Sequence, residues 1–283
     1  MESPKTKIRA LLKKVGMLSE NPYNLRKQFS YSIKINSILS KLMRDSFLWN
    51  VSDNIDLPQG ELYNIWHQIP GAHKWHHYFP IYEKIFSFLQ SGPIKILEIG
   101  VYKGASVRMW KEYFHEDSLL VGVDINEMCK EHANPNRNVH IRIGSQQDEV
   151  FLKNIIQEFG KFDLIIDDGS HVVSHMIDSF NYLFDEGLKD EGIYFVEDTH
   201  SNYWITHRDR VYSFVDFSKD LVDLMHYHYT IGQSEPEFRL GSKSRVRSFS
   251  VPKFTSIINE IRFFDSIVVF YKKNRQVPVS EHL

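Results

Sequence analysis

Two short stretches hold residue types from which a reaction centre could be built. Residues 163–175 read DLIIDDGSHVVSH, and residues 192–204 read GIYFVEDTHSNYW. In each, an apolar run ends in two adjacent carboxylates: Asp167 and Asp168 in the first, Glu197 and Asp198 in the second. A histidine follows each pair, His171 and His200. Turn chemistry is one explanation, because Asp-Gly-Ser breaks a strand and a polar residue can cap the next helix. A reaction centre is the sharper one. Carboxylates can gather a cation, and an imidazole can move a proton near neutral pH.

The elements that carry these residues follow from hydrophobic patterning. IKILEIGVY (94–102), SLLVGVDI (118–125), NVHIRIGS (138–145), FDLIIDD (162–168) and GIYFVED (192–198) predict five strands. SVRMWKEYF (106–114), EVFLKNIIQEF (149–159) and HVVSHMIDSFNYLFDEGL (171–188) predict helices among them, and 211–228 a later one. EIRFFDSIVVFYKK (260–273) reads as two short strands around Asp265 and Ser266. Strands that are nearly all apolar and alternate with helices imply a parallel sheet covered on both faces. Ligands in such sheets sit at the carboxyl ends of the strands, near the switch point.

Composition sets the remaining bounds. The chain has 283 residues, 42% hydrophobic and 25% charged, as in ordinary globular proteins. Its formal charge of -2 argues against a general affinity for nucleic acid or acidic membranes. The balance is uneven: residues 1–48 carry ten Lys and Arg against three acids, and the remainder 24 against 33. Residues 5–18 and 25–48 read as two basic amphipathic helices separated by ENPYN, and VSDNIDLPQGE (51–61) as a linker. These helices could dock on the main domain, pair with another subunit or touch a membrane surface. No apolar run approaches the roughly 18 residues of a membrane-spanning helix, and no secretory leader is expected. The single Cys129 excludes an intrachain disulfide, which fits a reducing cytoplasm, and its surroundings resemble no nucleophile motif.

A cofactor end is also readable. After the first strand, EIGVYKGAS supplies Glu98, Gly100, Gly104 and Ser106. The glycines permit a tight turn and close ligand approach, although the spacing is neither GxGxxG nor a P-loop. Asp124 ends the second strand, well placed to accept hydrogen bonds from both ribose hydroxyls. Ser145, Gln146, Gln147 and Asp148 follow the third and could read an adenine edge. Each alone could be a turn residue; together they point to a nucleoside cofactor.

ILEIGVYKGASVRMW, GVDI, GSQQD, DLIIDDGSH and GIYFVEDTHSNYW together resemble class I S-adenosylmethionine-dependent methyltransferases. More narrowly, they resemble the metal-dependent sugar O-methyltransferases of macrolide tailoring and their cephalosporin-hydroxylase-like relatives. The resemblance covers roughly residues 60–273. It implies an α/β, Rossmann-like seven-stranded sheet of order 3-2-1-4-5-7-6 with strand 7 antiparallel. Residues 1–55 would be a helical N-terminal extension and 56–283 the methyltransferase domain. The cofactor-binding set is then Glu98, Gly100, Gly104, Ser106, Asp124, Gln146 and Asp167, with a backbone or helix partner as the other role for Asp167. GAHKWHHYFPIYE (71–83) resembles the family's DKW…HxY…YE stretch, which helps cover the cofactor, with Ala72-His73 where the family often has Thr-Asp.

Strands four and five, as neighbours about 4.8 Å apart, would bring Asp168, Glu197 and Asp198 together. Alone, the three carboxylates would repel and raise each other's pKa. Mg²⁺ or Mn²⁺ would resolve this; Mg²⁺ takes about six oxygen ligands, leaving about three positions for water or two adjacent sugar hydroxyls. The resemblance carries Asp168, Glu197 and Asp198 to metal ligands and His171 to the general base, against a helix-capping role. His200, Tyr203 and Trp204 would meet the substrate, against turn and core roles. His175 could be an outer partner. His73, His76 and His77 have metal-like spacing, a pattern that isolated histidines often match.

The expectation is a Mg²⁺-dependent O-methyltransferase acting on a sugar, glycosylated natural product or glycan hydroxyl, by direct in-line transfer. A catechol-type O-methyltransferase is the first alternative, although that type usually shows Asp-Asn after strand five. A non-catalytic S-adenosylmethionine-binding accessory protein is the second. No nucleic-acid partner is expected, because the catalytic region is acidic and lacks a basic patch with interleaved aromatics. A homo-oligomer and a peripheral contact through the N-terminal helices are expected partners' modes. GSKSRVRS (241–248) reads as a basic loop that could lie over the pocket.

Overall fold

The computed structural model describes residues 47–204 and 206–283. The two amphipathic helices expected over 5–18 and 25–48 lie outside the described residues, apart from Phe47 and Leu48 at the end of the second. The chain divides into two compact units, Met1–Asp56 and Leu57–Leu283. Residues 47–59 form no helix or strand, so the stretch read as a linker carries none up to Gly60.

The second unit is built on seven strands: β1 (Lys95–Ile99), β2 (Leu119–Asp124), β3 (Val139–Ile143), β4 (Phe162–Asp167), β5 (Leu188–Val196), β6 (Ile258–Phe264) and β7 (Ile267–Lys272). Their order is β3-β2-β1-β4-β5-β7-β6. β1 to β5 are parallel, and β7 runs antiparallel to both β5 and β6. This is the class I methyltransferase sheet. The reversal at β1, from which β2 lies on one side and β4 on the other, creates the switch point at which ligands bind in such sheets.

The strands are buried on both faces, as continuous apolar runs require. On β5, Ile193 and Phe195 face one core, with Tyr82, Phe86 and Trp110, while Tyr194 and Val196 face the other, with Phe180, Phe214 and Phe270. The main helices among the described residues are α1 (Glu61–His67), α2 (Phe79–Phe86), α3 (Ala105–Tyr113), α4 (Glu149–Phe159), α5 (Val173–Tyr182), α6 (Phe214–Met225) and the short α7 (Lys253–Ile257). Their starts follow local chemistry. The Asp148 side chain accepts from the Val150 and Phe151 amides to open α4. Ser213 and Asp216 form a capping box at α6. α5 is shorter than the predicted 171–188 helix, because Leu183–Gly187 forms a π turn. β5 starts earlier than the predicted 192, and Glu191, at φ 63°, marks the irregular pairing between β4 and β5.

Gly100 shows how tightly the strand ends meet. Its φ is +95°, and a Cβ there would lie 2.1 Å from the Asp168 carbonyl oxygen. Neither the left-handed backbone nor the contact tolerates a side chain. Gly100→Ala is therefore expected to destabilise the fold by at least about 2 kcal/mol, the scale of a strained non-glycine backbone plus a backbone clash. Urea unfolding of the two proteins checks this; equal midpoints would show that the strand ends can separate at no cost.

Candidate active site

The strand ends place the charged groups. Ile99 pairs with Asp167, and Asp167 with Val196. The next residues, Asp168 and Glu197, continue this pairing through Asp168 N to Ile99 O and Glu197 N to Asp167 O, both 2.9 Å. Asp168, Glu197 and Asp198 thus leave adjoining strands side by side. Two turns then enter the left-handed region, His171 at φ 56° and Asp198 at φ 53°. Such backbone costs roughly 1–2 kcal/mol in a non-glycine residue and needs support. The His171 carbonyl accepts from Ser201 Oγ (3.2 Å) and Asn202 Nδ2 (3.4 Å), and Asn202 Oδ1 accepts from the Phe214 amide at the start of α6. His171 does not cap α5, whose N-cap is Val172 with no side-chain bond.

These turns aim His171 Nε2 at two carboxylates, 3.8 Å from Asp168 Oδ1 and 3.5 Å from Asp198 Oδ2. One ligand atom from each of Asp168, His171 and Asp198 lies within 4.8 Å of the others. Glu197 sits behind them, fully buried. Its Oε2 is 2.5 Å from Lys74 Nζ, which is also 2.5 Å from Asp168 Oδ2. Glu197 Oε1 is buried with no hydrogen-bond partner among the described residues. Tyr78 OH donates to Asp198 Oδ1 at 2.5 Å.

The electrostatics follow from this crowding. Burial, and then the Asp168 carboxylate, hold the Glu197 carboxyl well above the usual range. Burial works against the Lys74 charge, but Asp168 and Glu197 outweigh it and hold the ammonium above its ordinary pKa. Burial and the Asp198 carboxylate push the Tyr78 phenol up. Burial lowers His200 despite Asp198 at 3.9 Å. Three carboxylates against one ammonium leave negative charge in excess. The carboxylate oxygens are donors that fit a hard divalent ion such as Mg²⁺ or Mn²⁺, and the His171 imidazole stands beside them.

The carboxylate cluster lines one end of a cavity of about 750 Å³. At the other end stand Asp124, Ile125, Gly144, Ser145 and Gln146, with Gly100, Val101 and Ser106 between. Asp124 ends β2; its Oδ2 accepts from the Val101 and Tyr102 amides and its Oδ1 from Asn126, each at 2.9 Å. Burial opposes its charge, but these amides outweigh burial and hold the carboxyl below its ordinary range. The volume and the anionic end facing exposed Ile125 fit a nucleoside.

Several expected site residues stand elsewhere. Asp167 is buried outside the cavity wall and takes its second assigned role: it accepts from Ser179 Oγ (2.8 Å), Tyr194 OH (3.3 Å) and Gln146 Nε2 (3.3 and 3.4 Å). Glu98 points into the core, where its Oε1 accepts from Trp110 Nε1 at 2.8 Å. Gly104 also lies off the cavity wall; it adopts φ +67° at the α3 N-cap, against the His132 ring. Gln146 lines the cavity but is occupied, donating to Asp167 and accepting from the Ser170 amide. Tyr203, Trp204 and His200 are not part of the wall. Trp75 is, with its ring edge-on to His200 at 5.3 Å, and His200 in turn meets Trp204 at 4.7 Å. Of the histidine triplet, His73 lines the cavity, and no metal-competent group includes any of the three among the described residues. Cys129 is buried, with burial first and Asp124 next pushing its thiol up to about 11, so it is no nucleophile. His175 bonds Ser170 Oγ through Nδ1 at 2.8 Å.

The resemblance set the 71–83 stretch over the cofactor but gave Lys74, Trp75 and Tyr78 no roles of their own. Their signal was the KWHHY run, whose relation to strand ends some 94 to 123 residues away only the fold reveals.

No protein-family model matches the chain. It is 35% identical over 170 residues to the 8-demethyl-8-alpha-L-rhamnosyl tetracenomycin-C 2'-O-methyltransferase of Streptomyces olivaceus, covering 56% of this chain and 44% of that one. It is 36% identical over 141 residues to the demethylmacrocin O-methyltransferase of Streptomyces fradiae, covering 46% of this chain and 34% of that one. The chain thus spans less than half the length of these curated relatives. Among solved structures, it superposes on the MycE methyltransferase from the mycinamycin biosynthetic pathway in complex with Mg and SAH. The TM-score is 0.62 at 25% identity, covering 77% of this chain and 54% of that one.

Glu98 generates a pH prediction. Burial pushes its carboxyl from 4.5 up to about 7, against the opposing charge of Lys74. Between these values the folded protein holds a proton that the unfolded chain has released, so stability falls as pH rises through the window. Glu98→Gln removes that loss and keeps an acceptor for Trp110. Its stabilising effect should grow by about 2 kcal/mol between pH 5 and pH 8. Urea unfolding of both proteins at the two pH values measures it; an effect independent of pH would show that Glu98 stays charged in the core.

Proposed function

We propose that this chain is a divalent-metal- and S-adenosylmethionine-dependent O-methyltransferase whose acceptor is a sugar hydroxyl on a glycosylated small molecule. One observation carries the reading: a single cavity joins a nucleoside-shaped end at Asp124 to a carboxylate and imidazole cluster at Asp168, His171 and Asp198. The identity to sugar O-methyltransferases and the superposition on a Mg- and SAH-bound methyltransferase support it.

A divalent ion at Asp168 and Asp198, with Glu197 beside them, would acidify the acceptor hydroxyl, and S-adenosylmethionine would supply the methyl group as a sulfonium. The chain's own residues do the rest. Asp124, Ser145 and the Gly100–Val101 backbone hold the nucleoside. Trp75 offers an aromatic face to the acceptor's ring. His171 Nε2 takes the hydroxyl proton, held for that by the left-handed turn and by the Ser201 and Asn202 bonds to its carbonyl. Sugar acceptors fit this arrangement because two neighbouring hydroxyls can share one cation.

The test compares methyl transfer to a panel of glycosides by the wild type, Asp168→Asn and His171→Ala, with calorimetric titration of Mg²⁺ into each protein saturated with S-adenosylhomocysteine. Asp168→Asn should lose both Mg²⁺ binding and turnover. His171→Ala should keep Mg²⁺ binding and lose turnover by about 10²–10⁴-fold, the range of a general base. Full methyl transfer by both variants would overturn the mechanism. Cofactor binding without turnover on any glycoside would favour an accessory role.

A further inference from the structure

We propose that Lys74 is an internal counter-cation that competes with the divalent ion for the strand-end carboxylates and so sets how tightly the ion binds. This rests on the metal-site reading above and adds to it a residue whose own charge opposes the metal.

The geometry is specific. Lys74 precedes the single turn His76–Tyr78 and is 8% exposed at its side chain. Its ammonium reaches Asp168 Oδ2 and Glu197 Oε2, both at 2.5 Å. Asp168 is thereby divided, one oxygen on the ammonium and the other turned toward His171 Nε2. Glu197 has one oxygen on the ammonium and one buried without a partner among the described residues. A lone ammonium is a point charge with three donors and does not chelate. It therefore satisfies charge without fixing the coordination geometry that a divalent ion imposes. Each oxygen Lys74 holds is one that a cation of higher charge would take, and its own charge repels that cation across a low-dielectric site. Its neighbour Trp75 lines the cavity, so the same short loop brings both a charge to the cluster and an aromatic wall to the acceptor's side.

The experiment titrates Mn²⁺ calorimetrically into the full chain saturated with S-adenosylhomocysteine, for wild type, Lys74→Met, Lys74→Gln and Lys74→Arg. Removing the ammonium frees two carboxylate oxygens and adds net negative charge, so Lys74→Met should bind Mn²⁺ about tenfold more tightly. Lys74→Arg keeps the charge and should stay within about threefold of wild type. Lys74→Gln removes the charge but keeps a hydrogen-bond donor for the two carboxylates, and should also bind Mn²⁺ more tightly than wild type, by about threefold or more. A lysine that only braces the fold gives unchanged or weaker Mn²⁺ binding in Lys74→Met, and that result overturns the proposal. If Lys74→Met fails to fold, Lys74→Gln decides: tighter binding than wild type supports the competition, and unchanged or weaker binding overturns it. Absence of Mn²⁺ binding by the wild type would overturn the metal-site reading itself, and the proposal with it.

Discussion

Three carboxylates leave adjoining strand ends at the same place, and the chain must keep them there against their mutual repulsion. Much of the second unit answers that constraint. Lys74 comes in from a loop far away in sequence to lie between Asp168 and Glu197, while Tyr78 donates to Asp198. Two carboxylates nearby are handled with neutral donors. Asp167 is surrounded by Ser179, Tyr194 and Gln146, and Asp124 by backbone amides. Those two acids are paired within the protein, whereas the Asp168–Glu197–Asp198 group gathers three acids about one ammonium, and Glu197 Oε1, like Glu98 Oε2 in the core, has no hydrogen-bond partner among the described residues.

Backbone geometry makes this crowding possible. Gly100, His171 and Asp198 all take positive φ just beyond strand ends. At Gly100 only glycine fits, because the Asp168 carbonyl fills the space of a side chain. At His171 and Asp198 the left-handed turn is imposed on residues that disfavour it, and hydrogen bonds relayed through Asn202 from α6 hold the first in place. Strain concentrated at the two residues that face each other across the cluster, and supported from a helix that touches neither reacting end, is consistent with a site whose geometry is fixed before any ligand arrives.

The sheet was largely legible in the sequence, because strands buried on both faces leave nearly continuous apolar runs ending in acids. Their order came from the resemblance of the motifs rather than from periodicity, which is silent on which strands are neighbours. Errors arose where polar residues sit in regular structure: Lys189–Glu191 belong to β5 although the apolar run predicts a strand only from Gly192. Asp168, His171, Glu197 and Asp198 were readable as neighbours at one cavity because each follows closely on a strand end. Asp167 and Glu98, expected at the cofactor, are not on the cavity wall. Alternation sends adjacent strand residues to opposite faces, so Asp167, the last residue of β4, points away from the cavity that Asp168 lines, whereas beyond β5 both Glu197 and Asp198 reach it. Lys74 and Trp75 were unreadable as site residues because their partners lie on other elements.

The strand order also shapes how a donor and an acceptor would meet. β1, β2 and β3 end at the nucleoside-shaped half of the cavity, and β4 and β5 at the carboxylate half. The halves join at the β1–β4 seam, where Gly100 lies against the Asp168 backbone and Gly169 against Gln146 and Ile99. A side chain at either glycine would push the seam apart, so their smallness lets the two halves close into one cavity rather than two. In the proposed reaction the chain then needs no moving part to bring the reactants together. A nucleoside bound by one half and a hydroxyl bound by the other are neighbours because β1 and β4 are neighbours, and the remaining discrimination among acceptors falls to the walls around the carboxylate half, of which Trp75 is the aromatic face.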